Sequence, residues 1–285
     1  MLPYETLEDA TVSLGRNLTL AEILWFQYSA RKSDYILFCH NALFFFILYT
    51  IFPLPYMILE LMRSEKIDKY KLQPNVKNSL ADMLDGYRKF LYIFLPVVLP
   101  LQIFSCSTLK NIGIRTGLPL PSRSEIFWQL LVYFVIEDYA HYWLHRLSHH
   151  KWFYEKIHQV HHEYTAPIGF VAPYAHWAEF IIGGSATLCG PMLVPGHIIT
   201  FWLYLILREM ESIETHSGYD FPWSPTKYIP FYGGAVFHDY HHFVGGKTQS
   251  NFAPMFTYCD YIYGTDKGYR YMKKFEKTRE KLKEK

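Results

Sequence analysis

The arrangement of apolar residues constrains the fold of this chain more than any other feature of its sequence. Half of the 285 residues are hydrophobic and 19% are aromatic, and the apolar residues are bunched rather than spread evenly. The strongest run, residues 36–62, carries one charged side chain, Glu60, and is long enough to cross a hydrocarbon core of about 30 Å. The sequence therefore predicts a membrane protein.

Further apolar runs extend this prediction to an all-α, multi-pass bundle that forms a single membrane domain over residues 1–285. The predicted membrane segments are residues 36–62, 90–109, 126–144 and 180–207. The second contains Pro96 and Pro100, and neighbouring helices can accommodate such prolines within a bilayer. The fourth is interrupted by prolines and glycines, so we predict that it is a bent helical hairpin.

Charge distribution predicts which side of the membrane each part occupies. Seven basic residues between positions 63 and 89 place that loop in the cytosol. A histidine-rich catalytic cap, formed by residues 145–176 and 208–270, is then also cytosolic, as is the charged tail at 271–285. The alternating charges of this tail are typical of a solvated helix, and its residues 281–285 also fit a K-x-K-x-x retrieval address, which would indicate the endoplasmic reticulum.

Composition also excludes several classes of protein. The four cysteines are scattered and none forms a C-x-x-C pair, which argues against a disulfide framework and against a thiolate metal site. Residues 1–20 lack the pattern of a cleaved secretory signal. The net charge of +2 says little by itself. Because the chain is predicted to cross a membrane, membrane lipid is an expected partner, and nucleic acid is not.

The order of the histidines is the strongest chemical signal in the chain. Eight of the 14 histidines fall into one H-x-x-x-H and two H-x-x-H-H boxes, namely His145 and His149, then His158, His161 and His162, then His238, His241 and His242. Because side chains three or four positions apart share a helix face, each box is expected to project its imidazoles toward a common point. One ion rarely takes more than six ligands, so the boxes indicate two metal ions, whose identity the spacing leaves open.

Other residues are candidates for a supporting role. His216 follows the predicted hairpin and is a better candidate than isolated histidines such as His40 and His197. Residues that we expect to orient the ligating imidazoles or to add a ligand are His141, His176, Glu137, Asp138 and Asp239. Candidates for a substrate channel are Phe170, Tyr174, Trp177, Phe180 and Trp202, although aromatic belts at the membrane interface explain these equally well.

These boxes and their flanks resemble the fatty-acid-hydroxylase superfamily of membrane di-iron enzymes and, within it, the plant sterol 4α-methyl oxidases. The likeness covers nearly the full chain and includes EDY at 137–139, HQVHHEYTAP at 158–167, PYAHWAE at 173–179, ETHSGYDFPW at 214–223 and the run 229–266. It implies that the three boxes ligate two irons under a cytosolic cap, with His216 as a ninth ligand. One departure is Val236, where the family more often has an acid.

The resemblance also implies an activity and partners. A C-4 methyl group of a 4,4-dimethylsterol is oxidised to the alcohol, the aldehyde and the acid, each round using one O2 and two electrons, and a separate decarboxylating dehydrogenase then completes demethylation. No G-x-G-x-x-G follows a strand-like segment, so electrons are expected from outside the chain. The resemblance implies cytochrome b5 and its NAD(P)H-dependent reductase as their source. The acidic haem edge of cytochrome b5 is expected to approach basic residues around Arg146, Lys151 and Lys156.

Several other functions remain open at this point. A sterol desaturase, a fatty acyl hydroxylase or an aldehyde-forming wax enzyme of the same superfamily would use nearly the same boxes. A membrane metal transporter is the alternative from a different class, and its ligands are expected at the bilayer midplane. A sterol-binding scaffold without catalysis gives no reason for eight histidines at ligand spacing.

Overall fold

The computed structural model describes residues 4–244 and 250–283, and these are helical without a strand. The all-α prediction is therefore confirmed, while residues 284–285 of the predicted retrieval address lie outside the described residues. The helices are α1 Leu7–Leu14, α2 Leu20–Ser29, α3 Asp34–Ile51, α4 Leu54–Met62, α5 Glu65–Asp68, α6 Leu80–Ile93, α7 Leu99–Phe104, α8 Cys106–Ile112, α9 Arg123–Ser148, α10 Lys151–Lys156, α11 Trp177–Leu193, α12 Ile198–Thr215, α13 Gly234–Val244, α14 Tyr258–Tyr263 and α15 Lys267–Lys283. A π-helical turn spans Phe94–Val98, and 3-10 turns span His158–Glu163, Gly169–Val171 and Pro225–Tyr228.

Among the described residues, two helical stretches are long and apolar enough to cross a membrane. Asp34–Met62 comprises α3 and α4, and Leu80–Ile112 comprises α6 to α8. They contain the first two predicted membrane segments. The segments predicted at 126–144 and 180–207 coincide with α9 and with the α11–α12 hairpin, and their insertion into a membrane stays a prediction.

The ends and interruptions of these helices follow from the local sequence. The side chain of Ser33 accepts a hydrogen bond at the start of α3, and Ser79 forms a reciprocal capping box at the start of α6. Pro53 separates α3 from α4, while Pro96 and Pro100 accompany the π-helical turn and the start of α7. Because proline lacks the backbone N–H, the regular helical hydrogen bonds cannot continue through these positions.

Helix α9 is the central element of the bundle. It packs along α11 and contacts α12, and α12 also packs against α3 and α13. The close approach of α11 to α9 requires Gly190, because a Cβ atom there would lie 2.7 Å from the Cα of Tyr133. Tyr133 of α9 also packs against Tyr204 of α12, and both tyrosines are fully buried.

The loop between α4 and α6 ties the cap to the membrane helices. Glu60, the one charge in the first apolar run, is buried and accepts hydrogen bonds from Lys71 at 2.6 Å and from Tyr219 at 2.7 Å. The backbone N–H of Leu72 donates to Gly218 at 2.9 Å. Through these bonds the loop holds the segment that directly follows His216.

Candidate metal centre

Nine histidines converge in the cap and form two groups, in each of which the ring nitrogens lie within 4.8 Å of one another. The first histidine group comprises His145, His149, His158, His162 and His241, and the second comprises His161, His216, His238 and His242. They include all eight histidines of the boxes, together with His216. The structure thus brings together every residue that the sequence nominated as a ligand.

Separate segments of the chain supply these side chains. His145 lies in the last turn of α9, and His149 follows as its C-terminal cap. The second box lies in the 3-10 turn His158–Glu163, and the third lies in α13. His216 caps the C-terminus of α12. The ends of α9 and α12, a 3-10 turn and helix α13 therefore position the candidate ligands of the two groups.

The histidines of an H-x-x-H-H box do not all point to the same site, which corrects the expectation drawn from helical spacing. His238 and His242 share the second group, whereas His241 joins the first. At 3.6 residues per turn, positions i+3 and i+4 differ by about 100° around the axis, so neighbouring histidines face different directions. The 158–162 box divides in the same way, and each H-x-x-H-H box therefore bridges both groups.

Hydrogen bonds at Nδ1 fix the protonation of most of these rings. The Nδ1 acceptors are Phe252 O for His145 at 2.7 Å, Ser250 O for His241 at 2.7 Å, Ser212 O for His216 at 2.7 Å, Tyr164 O for His242 at 3.0 Å, Tyr174 O for His161 at 3.2 Å and the Glu179 carboxylate for His158 at 2.6 Å. A backbone carbonyl can only accept, so the ring must donate from Nδ1, and Nε2 then carries a lone pair in the neutral ring.

These lone pairs face one another across each group. The Nε2 atoms of His145 and His158 are 3.2 Å apart, and both rings already donate from Nδ1. In the second group, the Nε2 atoms of His216 and His161 are 3.4 Å apart under the same condition. With no proton between them the two nitrogens repel each other, unless a cation takes both lone pairs. The donor set therefore fits a transition-metal ion in each group.

The surroundings keep these histidines neutral. Burial, reinforced for His216 by the neighbouring His161, lowers the pKa of His158 and His216 to about 3. Burial and nearby imidazoles also hold the pKa of His241 and His242 well below the ordinary range. Neutral imidazole is the form that binds a metal.

Glu179, which the sequence offered only as one of several acids that could accept from a ligating imidazole, is the carboxylate that does so in the structure. It accepts from His158 Nδ1 through one carboxylate oxygen, and its other oxygen, Oε1, has no hydrogen-bond partner among the described residues. A carboxylate on the far nitrogen orients a ligating ring and raises its basicity. The only signal was its place at the end of PYAHWAE, among several other acids near the boxes.

Among the described residues, those predicted to support the ligands make no hydrogen bond to a histidine of either group, and their supporting role stays a prediction. Their partners are Arg208 and Tyr204 for Glu137, the backbone N–H groups of Met255 and Phe256 for Asp138, Gln73 for Asp239, and the Ala178 N–H for His176. The ring of His141 lies 6.1 Å from that of His145 and lines the adjoining cavity. These side chains contact the scaffold instead, because backbone carbonyls already occupy most of the Nδ1 positions.

A cavity of about 660 Å³ ends at the histidines. We call it the histidine cavity, and both groups contribute to its lining. Phe201 and His216 both line it, and their separation along the chain corresponds to about 22 Å of helix. Its walls are largely apolar and include Phe45, Val98 and Leu205. Its size falls within the range of small-molecule sites.

Of the five predicted channel aromatics, Phe180 lines this cavity and the other four do not. Phe170 packs against Tyr87, Tyr174 donates a hydrogen bond to Glu163, Trp177 is 53% exposed and Trp202 stacks on His40. Aromatic character alone did not distinguish a cavity wall from packing or from the surface.

A buried charged cluster in the cavity wall was not predicted. Arg208 donates to Glu137 at 2.9 Å and also to Glu211, and Tyr49 donates to Glu209 at 2.5 Å. The pair between Arg208 and Glu137 joins α12 to α9. His145 lies in the last turn of α9 and His216 caps α12, so the ion pair links two helices that carry ligands of different histidine groups.

Comparison with known proteins identifies a family and several relatives that this chain resembles. The family model described as fatty acid hydroxylase matches residues 130–265. Methylsterol monooxygenase 1-1 of Arabidopsis thaliana is 62% identical over 276 residues, covering 96% of this chain and 93% of the relative. Methylsterol monooxygenase 1-2 of the same plant is 60% identical, covering 96% and 92%.

A protein of Oryza sativa subsp. japonica named as a very-long-chain aldehyde decarbonylase is 59% identical over 276 residues, covering 97% of this chain and 92% of the relative. No solved structure matches the chain. The matched family segment contains all nine histidines of the two groups. The chain therefore belongs to the fatty acid hydroxylase family, in the branch that includes the methylsterol monooxygenases.

Proposed function

We propose that this chain is a methylsterol monooxygenase that oxidises the 4α-methyl group of a 4,4-dimethylsterol stepwise to the carboxylic acid. The proposal rests on one observation, a largely apolar cavity that ends at two groups of histidines, each able to hold a metal ion. Relatives named methylsterol monooxygenase, 60–62% identical over nearly the whole chain, support the choice of substrate.

Two iron ions are the proposed cofactors, one held by each histidine group, with O2 as co-substrate. When bound, they supply the activation of O2 that attack on an unactivated C–H bond requires. The protein fixes the ring orientations through the carbonyls at Nδ1 and through Glu179. The apolar wall excludes water and holds the substrate methyl group toward the histidines.

The electrons are proposed to come from cytochrome b5 and its NAD(P)H-dependent reductase. Lys151 and Lys156 of α10 are exposed, and α10 lies between the first two histidine boxes along the chain. An acidic haem edge would be attracted to this basic surface. We propose that the protein lies in the endoplasmic-reticulum membrane with a cytosolic cap, and the basic loop after α4 supports this orientation. A decarboxylating dehydrogenase would act on the product.

A second candidate function is action on a very-long-chain aldehyde. The rice relative of that name is nearly as similar to this chain as the two methylsterol monooxygenases are. A sterol desaturase or fatty acyl hydroxylase would need the same centre. A metal transporter is disfavoured, because nine buried or half-buried histidines at the end of a lipid-sized cavity suit a resident metal better than a transported one.

Expression in a yeast strain that lacks its own C-4 methyl oxidase tests the proposal. The chain should lower the accumulated 4,4-dimethylsterol and restore demethylated sterols, and His241→Ala should not. Unchanged 4,4-dimethylsterol beside conversion of supplied long-chain aldehydes would contradict the sterol proposal and favour the second candidate.

A further inference from the structure

The histidine cavity opens between two particular segments of the chain. Its exposed lining residues are Leu101, Phe104 and Thr108 of α7–α8 and Ile181, Gly184 and Ser185 of α11. All other residues that line it are buried or half-buried. The gap between these two segments, which we call the cavity mouth, is therefore where the cavity meets the outside of the protein.

One side of the cavity mouth belongs to a helical stretch that is apolar and long enough to cross a membrane. Helices α7 and α8 belong to Leu80–Ile112, one of the two stretches that are apolar enough to cross a membrane. Phe104 is 77% exposed and Ile181 is 52% exposed. Large exposed apolar side chains at the edge of a cavity mark a surface that contacts lipid rather than water. On the prediction that Leu80–Ile112 crosses a membrane, the mouth is expected to face the hydrocarbon region of the bilayer.

The helices on the α7–α8 side are irregular next to the mouth. The π-helical turn Phe94–Val98 precedes α7, and Ser105 separates α7 from α8. Such interruptions allow a helix to bend, and π-helical turns occur frequently at functional sites. This side of the mouth can therefore move without the loss of a regular helix.

Two consecutive glycines lie on the opposite side. A Cβ atom at Gly183 or Gly184 would meet no other atom within 4 Å, although glycine is a poor residue within a helix. Packing therefore does not require glycine at these positions, in contrast to Gly190, where a Cβ atom would clash with Tyr133. What the missing side chains provide is space at the mouth, because both glycines line the cavity.

We propose that the apolar substrate enters the histidine cavity laterally from the bilayer through the cavity mouth, and that Gly183 and Gly184 keep the mouth wide enough for a fused-ring lipid. The identity of that lipid as a 4-methylsterol rests on the proposed function. The route itself follows from the cavity, the exposed apolar residues and the open space at the glycines.

Binding to the metal-free protein in lipid nanodiscs tests this route without relying on turnover. The probe is a tritiated 4,4-dimethylsterol, and a tritiated fatty acid serves as a second probe. In Gly183→Leu/Gly184→Leu, association and dissociation should both slow by about tenfold, because a narrowed mouth hinders passage in both directions. Met192→Trp, which adds bulk at an exposed position of the same helix outside the cavity, should bind at the wild-type rate.

Phe104→Ala removes a ring from the opposite side and should speed up both rates, which keeps the route testable if the double variant does not fold. Unchanged rates in all variants would overturn the proposal. A weaker affinity with unchanged association would also overturn it, because the glycines would then only contact bound substrate. If the wild type binds the fatty acid and not the sterol, but the variants still slow its entry, the route stands and the sterol proposal fails.

Discussion

The two histidine groups differ in the partners that hold them. In the first group, His158 donates to the Glu179 carboxylate, while His145 donates to a backbone carbonyl. In the second group, the Nδ1 acceptors that support His161, His216 and His242 are all backbone carbonyls. A carboxylate partner strengthens a ligand more than a carbonyl does. The first group, which also has five histidines against four, is therefore expected to bind its metal more tightly.

The largest effect is expected from removing one ligand of a single group. His241→Ala should remove a metal from the first group and lower turnover by at least about a hundredfold, because both ions are needed at the end of the cavity. Membrane insertion should be unaffected. Iron analysis together with turnover checks this, and His40→Ala, far from both groups, is the control. Full activity of His241→Ala would contradict the assignment of this residue.

Arg208→Met should affect both groups together. It leaves the buried carboxylates Glu137 and Glu211 without their cation, and breaking such a pair costs about 3–5 kcal/mol. Thermal unfolding in detergent should show a large loss of stability. Replacing Glu137 by Gln in the same protein should recover part of it. If only one histidine group loses its metal, the ion pair does not support both groups.

Glu179→Gln should change the metal affinity of one histidine group and not of the other. The loss of the carboxylate charge on His158 should weaken metal binding in the first group by about 10–100-fold and leave the second group near its original affinity. Titration of the metal-free protein with Fe(II) measures both affinities. Glu163→Gln, an exposed acid near the same 3-10 turn, is the matched control. An equal change of Fe(II) affinity in both groups would contradict the claim that Glu179 supports only the first group.

The smallest effect is expected at Asp239, which was predicted to orient the ligating imidazoles but hydrogen-bonds to Gln73 instead. Asp239→Asn keeps a side-chain oxygen able to accept from Gln73, so metal content and turnover should stay within about twofold of the wild type. Loss of a metal in this variant would show that the carboxylate acts on the ligands after all.

Periodicity and spacing predicted the helical fold, the first apolar helices and the eight histidines of the boxes, and the family resemblance added His216. The partition of the histidines into groups was not predictable, because it depends on where each helix face points in three dimensions. His241 and His242 are adjacent in the chain and still belong to different groups. Carbonyl acceptors such as Phe252 O could not be predicted either, because every residue carries one and only the fold selects it. Phe180 and Trp202 look equivalent in sequence, and their different surroundings follow from helix packing.

Metal analysis of matched single variants tests the central claim most directly. The wild-type protein should hold two irons per chain, and His241→Ala and His242→Ala should each retain one, in the second and the first histidine group respectively. Adjacent substitutions that empty different sites would establish that the box bridges both groups. A single iron in the wild type, or loss of the same site in both variants, would contradict the account.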